Sequence, residues 1–331
     1  MAKIKVAING FGRIGRTFFK TVHQHPDIEV VAINDLADAK TLAHLLKYDS
    51  IHGVFDAEID STLSEILVNG KTIPLSNHSS PESCNWPDVD VVVEASGKFK
   101  QREQLAPHLM AGAKKVILSV PPSDDDIPMV VLGVNDQLLD SEQTIISNAS
   151  CTTNNAAPMV QVIDQLCGVE QAYITTVHSY TTDQSLHDQP HRDLRRARAA
   201  GQSIVPTTTG AAKALTKIFP NLADVIGGCG IRVPVPNGSM TDITFNVKET
   251  VSIEQVNSAF KKAAQGQLNG ILDYTEDPIV SIDIVGNKHS CVFDSGMTSV
   301  IGRMVKIIGW YDNESGYSQR LADLIVSICK K

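Results

Sequence analysis

Strand-like and helix-like segments alternate along the first half of the chain. Apolar runs at residues 4–9 and 29–35 flank a helix-like stretch at 13–25, which predicts a strand–helix–strand unit. Other apolar runs predict further buried strands, with a helix at 101–111 among them. These strands are 89–95, 115–119, 129–134 and 144–147. The alternation indicates an α/β fold with a doubly wound parallel sheet.

The pattern changes after residue 150. A long helix is predicted from Cys151 to about Leu166, and shorter segments follow it. They are strands at 172–178, 231–234 and 239–248, and helices at 211–219 and 253–266. This pattern favours an α+β domain with a largely antiparallel sheet. We expect two domains, 1–150 and 151–314, with a C-terminal helix at 315–331 packing on the first.

Composition and charge restrict the possible partners. The chain has 331 residues and a net charge of −8, with 42% hydrophobic and 20% charged residues, as in folded proteins. An acidic chain does not suit nucleic acid or an anionic membrane as its main partner. No signal-like segment opens the sequence, and no apolar run approaches the roughly 18 residues that span a bilayer. We therefore expect a cytoplasmic protein.

A glycine motif, GxGxxG, follows the first predicted strand and opens the first helix. Gly10 permits a tight turn, Gly12 allows the backbone to approach a pyrophosphate, and Gly15 allows the helix to pack closely on the strand. Asp35 follows twenty residues later, at the end of the next strand, where its carboxylate would accept hydrogen bonds from ribose hydroxyls. The motif predicts a bound dinucleotide. A 2′-phosphate would be repelled by Asp35, so NAD is favoured over NADP.

One of the six cysteines lies where a strand ends and a helix begins. The six are Cys84, Cys151, Cys167, Cys229, Cys291 and Cys329, and no spacing among them suits zinc. Most of them are expected to be small buried apolar residues. At a helix start, backbone amides would lower the pKa of Cys151. A helix of roughly 24 Å followed by a strand of roughly 26 Å permits His178 to return beside it.

A cysteine and a histidine beside a dinucleotide domain indicate oxidation of an aldehyde. The thiolate of Cys151 would add to the aldehyde, and His178 would take the hydroxyl proton as hydride leaves, so that a thioester remains. Nearby anion sites are suggested by four arginines within 192–198 and by the hydroxyls and free backbone amides of 207–210. Arg232 lies in an apolar strand, where a charge must be paired or must bind a ligand.

Five segments together resemble the phosphorylating glyceraldehyde-3-phosphate dehydrogenases, over essentially the whole chain. They are 9–15, 147–154, 178–181, 194–210 and 310–317. The resemblance implies NAD-dependent oxidation of glyceraldehyde 3-phosphate with inorganic phosphate, giving 1,3-bisphosphoglycerate. It also implies a homotetramer, with the loop at 179–201 at its centre.

The resemblance implies a role for each matching residue. Cys151 would be the nucleophile and His178 the base. The substrate phosphate would be held by Thr181, Asp183 and Arg232. The attacking phosphate would be held by Ser150, Thr152, Arg196, Thr209 and Gly210. Arg13 and Ile14 would line the pyrophosphate and nicotinamide region, Asp35 would bind the ribose, and Ser119 and Asn313 would bind the nicotinamide end.

The chain departs from this family at four places. Asn155 replaces a frequent second cysteine, which removes an oxidative partner for Cys151 without touching the mechanism. Ser315 replaces a tryptophan, so packing there should differ while Asn313 is retained. Residues 78–81 read His-Ser-Ser-Pro where many members contact the adenine side. Gln189 replaces a leucine before Pro190, which leaves NAD favoured and dual cofactor use open.

Three alternatives stay open at this level. The same fold and mechanism would serve erythrose 4-phosphate, which a comparison of kcat/KM for the two aldehydes would decide. A non-catalytic NAD-binding sensor would bind NAD without turnover. A cysteine hydrolase would leave the glycine motif without a purpose.

Overall fold

The computed structural model describes residues 2–140 and 142–330 and divides the chain into two compact units. The first comprises Met1–Val130, Asp136–Ala149 and Ser318–Lys331, and the second Val131–Asn135 and Ser150–Tyr317. Met1, Ser141 and Lys331 fall within the predicted domains but lie outside the described residues. The predicted boundary at residue 150 stays a prediction. Within the described residues, no helix has both the length and the apolar character that crossing a membrane requires.

An eight-stranded sheet forms the centre of the first unit. Its strands are β1 (Ile4–Asn9), β2 (Ile28–Asn34), β5 (Ile59–Ser61), β6 (Glu65–Val68), β7 (Lys71–Ser76), β8 (Val89–Glu94), β9 (Ala113–Leu118) and β10 (Ile145–Ser147), and a separate hairpin joins β3 (Tyr48–Asp49) to β4 (Gly53–Val54). The order is β10-β9-β8-β1-β2-β7-β6-β5. Strands β10 through β7 pair in parallel, while β5, β6 and β7 pair antiparallel. The predicted parallel sheet is therefore confirmed.

Helices connect these strands. They are α1 (Arg13–Val22), α2 (Ala39–Lys47) and α3 (Arg102–Met110), and the chain ends with α7 (Ser315–Cys329). β1 and β8 are almost entirely buried, as expected for parallel strands covered on both faces. The carboxyl ends of β1, β2, β8 and β9 lie at one edge of the sheet, because the four strands run in parallel. In an open parallel sheet, this is the edge where ligands bind.

Two features of the first half differ from the sequence prediction. The strand predicted at 129–134 is wrong, because only Met129 forms a bridge, to Ser147, and the chain then turns with Gly133 at φ +79°. Val130 and Val131 are nonetheless fully buried, so the apolar run reflects burial and not strand geometry. The sequence also missed the strands from β3 to β7, which are short and interrupted by turns.

The second unit contains a largely antiparallel sheet, which confirms the predicted fold class. Its strands are β11 (Val169–Ser179), β12 (Val205–Thr207), β13 (Ile226–Val233), β14 (Ser239–Val247), β15 (Leu272–Thr275), β16 (Cys291–Asp294), β17 (Ser299–Ile301) and β18 (Met304–Tyr311). The order is β12-β13-β11-β14-β18-β16-β15, with β17 on β18. Only β11 with β13 and β15 with β16 pair in parallel among the described strands.

Three helices accompany this second sheet. They are α4 (Cys151–Cys167), α5 (Ala211–Ile218) and α6 (Ile253–Gln265). The sequence placed all three within a few residues of their observed bounds. It missed β18, although this strand pairs with β14 along eight residues. β11 begins at Val169, directly after Gly168, which ends α4, so no loop separates the helix from the strand.

Candidate active site

The chain turns sharply just before Cys151. Ala149 has φ +54°, a left-handed conformation that is uncommon for a residue with a side chain. Ser150 is the N-cap of α4, and its hydroxyl accepts a hydrogen bond of 3.1 Å from the backbone N–H of Thr153. Cys151 is therefore the first residue of the helix, where unpaired N–H groups face outward. The residue as a whole is half-buried.

The structure brings Cys151 and His178 together. His178 lies at the end of β11, and its Nε2 is 3.5 Å from Sγ of Cys151. The lengths of α4 and β11 permit this approach, because helix and strand run similar distances in opposite directions. His178 is only 6% exposed, so its imidazole is largely screened from solvent.

Arg232 lies beside this pair. It is the register partner of His178 in the parallel strands β11 and β13. Its Nη1 lies 2.5 Å from Nδ1 of His178 and donates a hydrogen bond of 2.9 Å to the carbonyl of Ser179. The expectation that a charge in this strand must be paired is thus met by the backbone carbonyl of Ser179.

Two contacts of Nδ1 bear on the tautomer of His178. Nδ1 lies 2.7 Å from the oxygen of Ser179, which can only accept a hydrogen bond, and 2.5 Å from Nη1 of Arg232, which can only donate one. In the tautomer with its proton on Nδ1, donated to Ser179, Nε2 has a lone pair directed at Sγ of Cys151. This tautomer is the one that can accept a proton from the thiol or from a bound substrate.

Burial and Arg232 control the charges of the pair. The pKa of His178 is lowered to about 3, first by burial and then by the positive charge of Arg232, with a smaller contribution from Arg196. The imidazole is consequently neutral at neutral pH. Burial raises the pKa of Cys151, against the opposing effects of Arg232 and of hydrogen bonds from Thr152. The predicted lowering of the thiol pKa is therefore wrong, because desolvation outweighs the helix start.

Comparison with known proteins places this arrangement in a family. The model for the NAD binding domain of glyceraldehyde 3-phosphate dehydrogenase matches residues 4–102, and the model for its C-terminal domain matches residues 150–313. The chain belongs to the glyceraldehyde-3-phosphate dehydrogenase family. This confirms the predicted family, an NAD-dependent oxidoreductase, and the predicted cofactor, NAD.

Individual relatives match along nearly their whole length. Glyceraldehyde-3-phosphate dehydrogenase 2 of Streptomyces avermitilis is 53% identical over 330 residues, covering 98% of both chains. The Geobacillus stearothermophilus enzyme is 52% identical over 332 residues, covering 99% of both. The Mycobacterium avium enzyme is 51% identical over 336 residues, again covering 99% of both.

Arg196 and Asp183, which both have an expected phosphate-binding role in this dehydrogenase family, contact each other directly. The guanidinium of Arg196 forms an ion pair with Asp183, and its Nε donates a hydrogen bond of 3.1 Å to Oγ1 of Thr207. Asp193 lies 3.5 Å from the same Nε. The charge of Arg196 reaches both His178 and Arg232, since it affects the pKa of each. Two guanidinium groups therefore lower the pKa of His178.

Other expected anion-binding residues lie at helix starts or are held by neighbours. Gly210 is the N-cap of α5, and Oγ1 of Thr209 accepts a hydrogen bond of 3.2 Å from the N–H of Ala211. Thr152 is buried, and its hydroxyl lies 2.9 Å from that of Tyr311. The backbone N–H of Thr181 donates to the Gln184 side chain.

The glycine motif forms one wall of a cavity in the first unit. The cavity has a volume of about 210 Å³, and its lining includes Asn9, Gly10, Gly12, Asp35 and Ser96. A Cβ on Gly10 would lie 2.5 Å from the nitrogen of Ser96, so the two loops approach as closely as backbone permits. Gly12 has open space in front of it, and α1 starts there without a side-chain cap. These features fit the pyrophosphate of NAD.

Asp35 and Arg13 are held in different ways. The carboxylate of Asp35 accepts hydrogen bonds of 2.7 Å from the N–H of Phe11 and 2.9 Å from that of Ala37, which orient it into the cavity wall. The guanidinium of Arg13 lies 2.9 Å from a carboxylate oxygen of the buried Asp49. Arg13 can therefore face the pyrophosphate only with its backbone while this ion pair is kept.

The structure also places the three other residues expected to contact the cofactor, which are Ile14, Ser119 and Asn313. Ser119 is buried after β9, and its N–H donates a hydrogen bond of 3.0 Å to the carbonyl of Glu94. Ile14 lies in the first turn of α1. The carboxamide oxygen of Asn313 accepts hydrogen bonds from the hydroxyls of Ser179 at 2.9 Å and Ser239 at 3.1 Å. That orientation turns the Asn313 NH₂ group away from the two serines and leaves it able to donate.

Sequence reasoning missed Tyr311 and Ser239. The ring of Tyr311 meets that of His178 edge to face, with centroids 5.9 Å apart. Burial raises the pKa of Tyr311, so its hydroxyl stays protonated and can donate. Ser239 fixes both Ser179 and Asn313. Each of the two residues has a hydroxyl group and lies at one end of a strand. That is weak evidence for a role in the site when the pairing of the strands is unknown.

Proposed function

We propose that this chain is a phosphorylating glyceraldehyde-3-phosphate dehydrogenase. It oxidises glyceraldehyde 3-phosphate with inorganic phosphate to 1,3-bisphosphoglycerate and uses NAD. The observation that supports this most directly is the 3.5 Å approach of Sγ of Cys151 to Nε2 of a neutral His178, with Arg232 beside them. Full-length relatives named glyceraldehyde-3-phosphate dehydrogenase add support.

Cys151 and His178 act in turn on the aldehyde. As the Sγ–carbon bond forms, the thiol proton passes to Nε2 of His178 and on to the aldehyde oxygen, which gives a hemithioacetal on Cys151. His178 then takes the hydroxyl proton while hydride leaves the same carbon, and a thioester remains. NAD, when bound, accepts that hydride. A phosphate oxygen attacks the thioester carbon, and the sulfur of Cys151 leaves and regains its proton from His178.

Two anion sites support these steps. We assign the substrate phosphate to Thr181 and Arg232, with Asp183 acting through its ion pair with Arg196, because a carboxylate would repel a phosphate. We assign the binding of the attacking phosphate to five residues, Ser150, Thr152, Arg196, Thr209 and Gly210. The helix start at Gly210 and the partly exposed Arg196 offer donors suited to an anion.

NAD would be held by the residues at the edge of the first sheet. Gly10, Gly12, Gly15 and the backbone of Arg13 and Ile14 would approach the pyrophosphate. Asp35 would accept hydrogen bonds from the ribose. Ser119 and Asn313 would bind the nicotinamide end, with the NH₂ group of Asn313 donating to the carboxamide oxygen.

The protein would work as a homotetramer in the cytoplasm. Three large apolar side chains between residues 180 and 204 are strongly exposed, which suits a loop that packs against other copies. They are Leu186 at 79%, Leu194 at 82% and Ile204 at 68%. Molar mass in solution, measured by light scattering, tests the tetramer.

The deciding experiment mixes glyceraldehyde 3-phosphate, NAD and phosphate and follows NADH by absorbance. We expect phosphate-dependent NADH formation that falls at least about a thousandfold in Cys151→Ala. Cys329→Ala, at an exposed cysteine, is the matched control and should keep the full rate. Wild-type protein without phosphate-dependent turnover, or an active Cys151→Ala variant, would refute the proposal.

The same assay separates the alternatives. A higher kcat/KM for erythrose 4-phosphate would reassign the substrate, and NAD binding without turnover of either aldehyde would indicate a sensor. Hydrolysis that persists without NAD would indicate a cysteine hydrolase.

A further inference from the structure

A carboxylate and an imidazole lie fully buried behind the NAD cavity. Glu94, at the end of β8, and His108, in α3, are both 0% exposed, and Nε2 of His108 lies 3.2 Å from Oε2 of Glu94. On its other side, Nδ1 of His108 lies 3.0 Å from the indole nitrogen of Trp86. Neither residue has a role in the reaction proposed above.

The hydrogen-bond chemistry fixes the protons of this pair. An indole N–H only donates, so Nδ1 of His108 must accept from Trp86 and carries no proton. The single ring proton is then on Nε2 and is donated to Glu94. The imidazole is neutral, and Glu94 acts purely as an acceptor.

Three further donors converge on Glu94 from the side of the cavity. Nδ2 of Asn9 lies 2.5 Å from Oε2, and the N–H of Ser96 lies 2.9 Å from Oε1, which also accepts from the Ser96 hydroxyl. Both Asn9 and Ser96 line the cavity. The carboxylate therefore has four donors, and none of them carries a positive charge.

Glu94 in this way joins the ends of four strands. Its side chain holds Asn9 at the end of β1, and Oδ1 of Asn9 accepts a hydrogen bond of 2.7 Å from Asn34 at the end of β2. Its backbone carbonyl accepts from Ser119, directly after β9. The loop that follows Glu94 is the one that touches Gly10.

We propose that Glu94 is a positioning residue for NAD. Its carboxylate holds the carboxyl ends of β1, β2 and β8, and with them the cavity wall, in the arrangement that receives the cofactor. Burying a charge without a cation is unfavourable, and the four hydrogen bonds that offset this cost also specify one arrangement of their donors. The inference rests on the use of NAD but not on the identity of the aldehyde.

A glutamine cannot replace this carboxylate. Both of its oxygens accept, from the Asn9 and His108 side at Oε2 and from Ser96 at Oε1. Either orientation of a glutamine amide therefore points an NH₂ group at a donor. Glu94→Gln keeps the side-chain volume and removes only the match between the two acceptor oxygens and the donors around them.

The test measures NAD binding to full-length Glu94→Gln without aldehyde, by calorimetry, and then kcat and KM for NAD. We expect the Kd and KM for NAD to rise at least tenfold, with kcat at saturating NAD within about threefold of wild type. Wild-type protein that fails to bind NAD would count against the proposed function itself. Normal binding by wild type and variant alike would overturn only the role of Glu94.

Trp86→Phe is the matched control, because it breaks the outer hydrogen bond to His108 and does not touch the cavity. It should lower Tm and leave the Kd for NAD unchanged. If Glu94→Gln behaves in the same way, its role is structural and the proposal fails.

A double variant, Asn9→Asp with Glu94→Gln, restores one donor–acceptor pair and keeps one negative charge. It should bind NAD more tightly than Glu94→Gln alone, because the glutamine NH₂ group then faces a carboxylate. Equal or weaker binding by the double variant would overturn the proposal. So would failure of both variants to fold, since the role would then be in stability.

Discussion

Nη1 of Arg232 lies 2.5 Å from Nδ1 of His178, across two parallel strands. A permanent positive charge thus faces the ring that must act as a base. The same charge lowers the pKa of Cys151, although burial outweighs it. Arg232 therefore keeps His178 free of a proton and brings the thiol closer to ionisation, which is the pair of states that nucleophilic attack requires.

The buried neutral state of His178 predicts how stability depends on pH. The folded pKa is about 3 and the ordinary value is 6.5, so between these pH values the unfolded chain binds a proton that the folded chain does not. The free energy of unfolding must fall as pH falls through this window. From about pH 7.5 to about pH 5, wild type should lose about 2 kcal/mol more than His178→Asn.

Urea unfolding at the two pH values measures this difference. His178→Asn shares every other titrating group with the wild type. The difference between the two pH dependences therefore reports on the residue at 178 alone. Parallel pH dependences of the two proteins would show that His178 is not buried in its neutral form.

Replacement of Arg232 should change the reactivity of Cys151 without any substrate present. In Arg232→Gln the pKa of Cys151 rises, because a charge that lowers it is gone, and the pKa of His178 rises for the same reason. Alkylation of Cys151 by iodoacetamide, followed against pH, should therefore show a midpoint at higher pH than in wild type.

Arg232→Lys separates charge from shape in the same experiment. A lysine keeps the positive charge but cannot reproduce the planar donor arrangement. Its alkylation midpoint should stay closer to that of wild type than the Arg232→Gln midpoint does. An unchanged midpoint in Arg232→Gln would mean that Arg232 does not influence the thiol.

The sequence predicted what local patterns determine. The glycine motif, the strand before it and Asp35 lie within one short segment, so spacing alone located a cavity wall. The lengths of one helix and one strand permitted the approach of His178 to Cys151, which the structure then shows. These features need no knowledge of distant pairing.

Long-range contacts determine what the sequence did not predict. The pKa of Cys151 depends on how deeply the helix start is buried, which position along the chain does not reveal. The run at 129–134 is apolar because it is buried, and burial occurs equally in turns. Glu94 and His108 are single polar residues in different elements, and only their convergence distinguishes them from ordinary surface positions.

The hydroxyls of Tyr311 and Thr152 form a buried hydrogen bond that should contribute to stability. Tyr311→Phe leaves the Thr152 hydroxyl without this partner and should lower the free energy of unfolding by about 1–2 kcal/mol. The double variant Tyr311→Phe with Thr152→Val removes both polar groups. Its loss should be smaller than the sum of the single losses, measured by urea unfolding, and strict additivity would argue against the bond.

Two glycines of the same motif should respond in opposite ways to one added methyl group. A Cβ at Gly15 would lie 2.2 Å from the backbone oxygen of Gly10, so Gly15→Ala should lower the free energy of unfolding by about 1–3 kcal/mol. No atom lies within 4 Å of a Cβ at Gly12, so the free energy of unfolding of Gly12→Ala should be within about 1 kcal/mol of the wild-type value.

The methyl group added at Gly12 would instead occupy the space in front of α1 where the pyrophosphate is proposed to lie. Calorimetry should therefore show at least about a tenfold weaker NAD affinity in Gly12→Ala despite its normal stability. Wild-type affinity in Gly12→Ala would place the pyrophosphate elsewhere.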